Sequence, residues 1–152
     1  MSDSHRPAFR RAVIALNGGS SDARIVRLVT QMAHLGRAEV VAVHVVEIDW
    51  TLPLDADIAG RSEEVQRVLD TAEEIAEESK VAIEPVLLQA RDVGAAIVDE
   101  ATERGADLLV VGLPYRKRFG GEFAIGRTIP YILQNAPCAV WVMRDPIAEE
   151  SS

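Results

Sequence analysis

Five short runs dominated by branched apolar residues punctuate the chain, at Ala12–Leu16, Glu39–Val46, Ala82–Leu88, Asp107–Val111 and Ala139–Met143, with longer stretches of helical spacing between them. Such runs, apolar at consecutive positions, predict parallel strands buried on both faces, whereas a strand with one wet face would alternate apolar and polar residues. Four helices are expected in the intervals. The first, about Ser21–Leu35, sets Ile25, Leu28, Val29, Met32 and Leu35 on one stripe. The second, about Arg61–Ser79, does so with Val65, Val68, Leu69, Ala72, Ile75 and Ala76, and its glutamates read as a solvated opposite face. The third is expected over Val93–Glu103 and the fourth over Ile129–Gln134, stopped before Asn135-Ala136-Pro137. Strands and helices in strict alternation build βαβ units, so the expected fold is α/β, a doubly wound five-stranded parallel sheet with helices on both faces.

A length of 152 residues suits one domain with one core. That domain is expected over residues 11–145, with flexible tails at 1–10 and 146–152. The segment Asp49–Gly60, with Trp50, Leu52 and Leu54, is too long for a tight crossover and reads as a mobile loop or a short extra helix. No apolar run approaches the roughly 20 residues that span a bilayer. Met1–Arg11 has no apolar stretch of the kind a secretory leader needs, so the cytoplasm is the expected compartment. A lone cysteine, Cys138, excludes an intramolecular disulfide and a multi-cysteine metal site, and its apolar setting predicts an inert core thiol.

Charge narrows the function classes. With 16 Lys and Arg against 24 Asp and Glu, the net charge of −8 repels a phosphate backbone and argues against nucleic acid as a partner. Yet Arg116, Lys117, Arg118 and Arg127 crowd one twelve-residue stretch. In an open α/β sheet a ligand sits beyond the carboxyl ends of the strands, where strand order reverses. After the first strand comes Asn17-Gly18-Gly19-Ser20-Ser21-Asp22, where the glycines permit a tight turn and Ser20 or Ser21 can cap the next helix. After the fourth comes a glycine-rich basic segment from Gly112 to Thr128. Thr128 is expected as the cap of the fourth helix, with Pro130 in its first turn, so that free N–H groups and the positive helix end favour an anion.

These residues, with the closing Asn135-Ala136-Pro137-Cys138-Ala139-Val140, resemble the universal stress protein family from about Arg10 to Arg144. The resemblance implies an adenine nucleotide alpha hydrolase-like fold with strand order 3-2-1-4-5. It also implies an adenine nucleotide, ATP or AMP, with no metal required and magnesium entering only alongside ATP. Nucleotide-binding members carry Gly-x-x-Gly, nine residues, then Gly-Ser or Gly-Thr around the phosphates and ribose. Gly112 and Gly126 match the outer glycines, whereas Tyr115 replaces the second, the spacer is one residue longer and Arg127 intervenes before Thr128. The family's aspartate at the end of strand one is matched by Asn17, which keeps hydrogen bonding and loses the charge. Adenine is expected on the main chain at Val45. The implied nucleotide-binding set is Ala15, Leu16, Asn17, Gly18, Val45, Val111, Gly112, Pro114, Tyr115, Arg116, Gly126, Arg127, Thr128 and Ile129. The loop also looks like the variant found with amino acid permeases, which implies a membrane transporter as partner. In this strand order strand five is an apolar edge, and a homodimer through it is expected.

Catalysis has no constellation to rest on. His5 is in the tail, His34 near the end of helix one and His44 inside strand two, where a satisfied core histidine is expected. A phosphoacceptor reading fails at Asn17 and at Leu87-Leu88, and the Ser-Gly-Gly-x-Asp-Ser loop of ATP pyrophosphatases is only half matched by residues 17–22. The sequence therefore predicts a regulatory module that binds nucleotide with weak ATPase activity or none. The alternative is a nucleotide-free interaction module, with Tyr115 filling the phosphate pocket and the basic loop gripping an acidic partner or an anionic membrane face.

Overall fold

A wholly apolar strand interior needs cover on both faces, and the fold supplies it by placing the first strand in the middle. In the computed structural model, which describes residues 8–49, 51, 62–115 and 125–147, β1 (Arg11–Leu16) is flanked by β2 (Glu39–Glu47) and β4 (Leu108–Leu113). Strands β3 (Ile83–Ala90) and β5 (Ala139–Arg144) form the edges, and every pairing is parallel, in the expected order β3-β2-β1-β4-β5. Period-two alternation divides the core in two. Ala12, Ile14, Leu16, Val40 and Ala42 pack beneath α1 (Ser21–Gly36) and α2 (Ser62–Glu78). Val13, Ala15, Val41 and Val43 pack beneath α3 (Val93–Glu103) and α4 (Thr128–Asn135).

Burial on both faces holds for the three central strands only. The edge strands β3 and β5 are exposed at several positions, because a helix layer tapers toward the sheet margin. The first helix is also turned from its expected orientation. Ile25 and Val29 are buried as predicted, but they share the inner face with Val26, Thr30 and Ala33, while Leu28 and Leu35 are 39% and 86% exposed. The cause is that α1 covers the sheet and meets α2 side by side, so its buried face is the sum of two contacts. Thr30 marks the second contact: its hydroxyl donates to the Val26 carbonyl and lies 3.2 Å from the Ser79 hydroxyl.

Two caps differ from expectation. Arg127, not Thr128, precedes α4 and makes no side-chain cap; Thr128 is the first helical residue. Neither Ser20 nor Ser21 caps α1, because both hydroxyls are drawn elsewhere. The expected N-terminal tail has become packed chain by residue 9: Phe9 is buried and meets the Trp141 ring edge-on at 6.4 Å. Cys138 is half-buried, and burial pushes its thiol pKa up, which keeps it a poor nucleophile at neutral pH. Residues 50 and 52–61, with Trp50, Leu52 and Leu54, and Arg116, Lys117 and Arg118 lie outside the described residues. No described helix is long and apolar enough to cross a membrane.

Candidate functional site

The lengths of the strands create the site. Pairing of β1 with β2 stops at Leu16 opposite His44, while β2 and β3 continue together to Glu47 opposite Ala90. On the other side β1 pairs β4 only to Val111, while β4 and β5 continue to Leu113 opposite Arg144. The middle strand therefore ends early between two longer neighbours. Beyond it, the edge of β2 after His44 and the edge of β4 after Val111 face each other with no strand between, at the point where strand order reverses.

The chain leaves β1 through a turn held by its own side chains. Asn17 Oδ1 accepts from the Gly19 N–H at 2.7 Å, and Gly18 sits at φ +79°, a conformation that glycine adopts without strain. The carboxylate of Asp22 reaches back to accept from the Asn17 N–H at 3.1 Å and the Gly18 N–H at 2.8 Å. Burial raises the pKa of Asp22, an effect opposed by those two N–H groups and by His44 and reinforced by the Asp145 carboxylate. Sequence reasoning missed this residue. Its signal was present: an aspartate four residues after a glycine turn, at the start of a helix, can satisfy the N–H groups of that turn.

This turn, the start of α1, the end of β2 and α2 from Glu64 to Ile75 enclose a cleft of about 790 Å³. Asn17, Gly18, Gly19, Asp22 and His44 form its floor, and Val46, Glu47, Glu64, Arg67, Val68, Thr71 and Ile75 are among its walls. The His44 Nδ1 lies 3.1 Å from the Leu16 carbonyl, so the ring is a satisfied donor there. Val45 also lines the cleft, but its side chain belongs to the core under α3 and α4, so the cleft meets its main chain.

Of the residues singled out from sequence, the cleft brings together Asn17, Gly18 and Val45. Ala15, Leu16, Val111 and Ile129 are buried in the two cores and present main chain only. Gly112 is spoken for by packing: a Cβ there would stand 2.7 Å from Ser21 Cβ and 3.0 Å from Ile25 Cδ1. Pro114 and Tyr115 lie toward β5, where the Arg144 guanidinium sits 5.1 Å over the Tyr115 ring. Tyr115 is thus no part of the lining of the cleft beside α2. Gly126 stands at φ +76°, and among the described residues nothing lies within 4 Å of where its Cβ would be. Thr128 opens α4, and Arg127 reaches Glu47 at 3.5 Å. Arg116 lies outside the described residues.

A second unforeseen feature ties β5 to this end of the sheet. Asp145 accepts from the Ser20 hydroxyl at 2.5 Å and the Ser21 hydroxyl at 2.7 Å, while its N–H donates to the Leu113 carbonyl. The two hydroxyls hold its carboxyl below the usual range, against a smaller opposing effect of burial. Ser21 is 1% exposed, and Asp145 is the acceptor of its hydroxyl. Asp145→Ala should cost about 1–2 kcal/mol in urea unfolding at pH 7. A carboxyl with a depressed folded pKa stabilises above its unfolded value of 3.8 and stops doing so as pH falls through the folded one. The gap between variant and wild type should therefore narrow in melts below about pH 4.

Comparison with known proteins agrees with this architecture. The model of the Universal stress protein family matches residues 8–144, and the chain belongs to that family. Over 145 residues it is 28% identical to the sensor protein KdpD of Mycobacterium tuberculosis, covering 95% of this chain and 16% of that protein's length. A universal stress protein solved in complex with cAMP is 20% identical, with a TM-score of 0.68, covering 90% of this chain and 98% of that one. One from Archaeoglobus fulgidus in complex with dAMP is 21% identical, with a TM-score of 0.69, covering 87% and 95%. These structural likenesses show the shared fold.

Proposed function

We propose that this chain is a regulatory module that binds an adenine nucleotide, AMP or ATP, in the crevice beyond the end of β1 and carries out no chemistry on it. The observation that carries the reading is the strand edge of β2 after His44, which β1 leaves without a strand partner beside a cleft walled by Val46, Val68 and Ile75. A flat base suits an apolar slot whose rim offers main-chain donors and acceptors, and the volume is in the range of small-molecule sites. The base reads the main chain at Val45, and Asn17 and Gly18 meet the ribose. Gly126, Arg127 and the first N–H groups of α4, at Thr128 and Ile129, take the phosphates. Ala15, Leu16, Val111, Gly112 and Pro114 shape the crevice through their main chain, and Tyr115, with Arg116 outside the described residues, completes the proposed set. Family members solved with cAMP and dAMP support the ligand class.

The absence of a reaction is part of the proposal. Among the described residues no group of three or more His, Cys, Asp or Glu is disposed to hold a metal ion. His44, which lines the cleft, has its Nδ1 engaged by the Leu16 carbonyl. Magnesium would enter as the counter-ion of ATP. A homodimer through β5 and a transporter or other regulated protein as partner complete the reading, and the likeness to a sensor protein fits a unit that serves regulation.

Calorimetric titration of nucleotide-free protein with ATP, AMP and cAMP, with mass spectrometry of anything released on denaturation, tests it. Micromolar heats, or a copurifying adenine nucleotide, are expected; no heat with any of the three and no released nucleotide would sink the idea. Tyr115→Gly should change the affinity little, because the ring stacks with Arg144 outside the cleft. A large gain would mean that tyrosine does block the phosphate side.

A further inference from the structure

The contact between Arg127 and Glu47 spans the whole crevice. Glu47 ends β2 and Arg127 precedes α4, which follows β4; in the order β2-β1-β4 a pair joining them passes over the carboxyl end of β1. The distance is 3.5 Å, and the side chains are 90% and 56% exposed, so the pair is weak and easily exchanged. Below it the cleft is acidic: Asp22, Glu47 and Glu64 line it against Arg67. Arg127, at the rim, is thus already held by a carboxylate of the opposite wall.

We infer that Glu47 is a built-in competitor for Arg127 and sets the charge preference of the site, so that a phosphate-bearing ligand must displace this carboxylate to reach the guanidinium. The inference rests on the nucleotide-binding reading above and deepens it by naming a specificity-determining residue. A phosphate that takes over Arg127 leaves Glu47 facing it across the crevice, and each further negative charge adds to that repulsion. An uncharged nucleoside meets neither cost. The arrangement therefore favours ligands of low charge, a nucleoside or a monophosphate, over an uncomplexed triphosphate.

The test is calorimetry of wild type, Glu47→Gln, Arg127→Gln and the double variant with adenosine, AMP and ATP. Glu47 is an exposed strand-end residue, so its amide is expected to be tolerated, and thermal melts verify folding. Glu47→Gln should raise affinity for AMP about threefold more than for adenosine, and for ATP by more again. The gain should shrink when Arg127 is Gln, because there is then no guanidinium to release. It should also fade at about 1 M salt. Equal changes for adenosine and AMP, or a gain that persists undiminished without Arg127, would overturn the competition. No binding of any adenine compound to any of the proteins would overturn the nucleotide reading itself, a result distinct from binding that ignores Glu47.

Discussion

Gly112→Ala should lower the stability of this protein by about 2 kcal/mol, seen as a fall of roughly 4–8 °C in melting temperature. The added methyl carbon would lie 2.7 Å from Ser21 Cβ and 3.0 Å from Ile25 Cδ1, closer than carbon atoms approach. Neither neighbour can step aside cheaply. Ser21 is pinned through its hydroxyl to Asp145, and Ile25 is a fully buried residue of the core between α1 and the sheet. Relief requires the first turn of α1 to lift from the end of β4, carrying the Asn17–Asp22 turn with it. Affinity for nucleotide should fall as well, as a consequence of that movement. A variant that melts within about 0.5 kcal/mol of wild type would show that α1 shifts without cost and that the absence of a side chain serves only ligand approach. Gly126 is the contrasting case: among the described residues nothing lies within 4 Å of where its Cβ would stand, and the constraint they show there is the positive φ.

The two glycines show how far residue type carries an argument. Both were legible as matches to the family's outer glycines, but the packing reason at Gly112 depends on Ser21 and Ile25, which only the packed fold brings there. The central strands were readable because burial on both faces leaves a mark at five of the six positions of β1 and of β4. The inner face of α1 was harder, since Leu28 and Leu35 fit a helical stripe as well as Val26 and Ala33 do, and contact with α2 decides between them. At the site, Asn17 and Gly18 followed from the loop after the first strand, and Val45 from the family resemblance. The wall contributed by α2 did not, because its height over the turn depends on how two helices pack. Asp145 lies more than a hundred residues from the serines it holds, and no local pattern announces such a contact.

The edges of the sheet differ in a way that bears on assembly, and the second large effect is expected there. Strand β3 carries Glu84 and Pro85 in its first half, and a proline removes a donor from an exposed edge and discourages a further strand. Strand β5 reads Ala-Val-Trp-Val-Met before its first charge at Arg144, with no proline, and its Trp141 and Val142 are 37% and 38% exposed. Among the described residues no strand pairs with the outer edge of β5, five apolar residues before Arg144; such an edge invites pairing, and in the proposed homodimer two copies meeting across a twofold axis would satisfy each other's strand edge in antiparallel register. Val142 then lies near the centre of the interface, where a buried unpaired charge costs most. Val142→Lys should weaken dimerisation by about 3 kcal/mol, roughly a hundredfold, and leave a folded monomer, because the side chain is exposed in the single chain. Sedimentation velocity at micromolar concentration is the measurement: wild type is expected to run as a dimer and the variant as a monomer with an unchanged melting profile at low concentration. If wild type and variant sediment alike as monomers, the edge is covered in some other way; if both remain dimers, another surface holds them together.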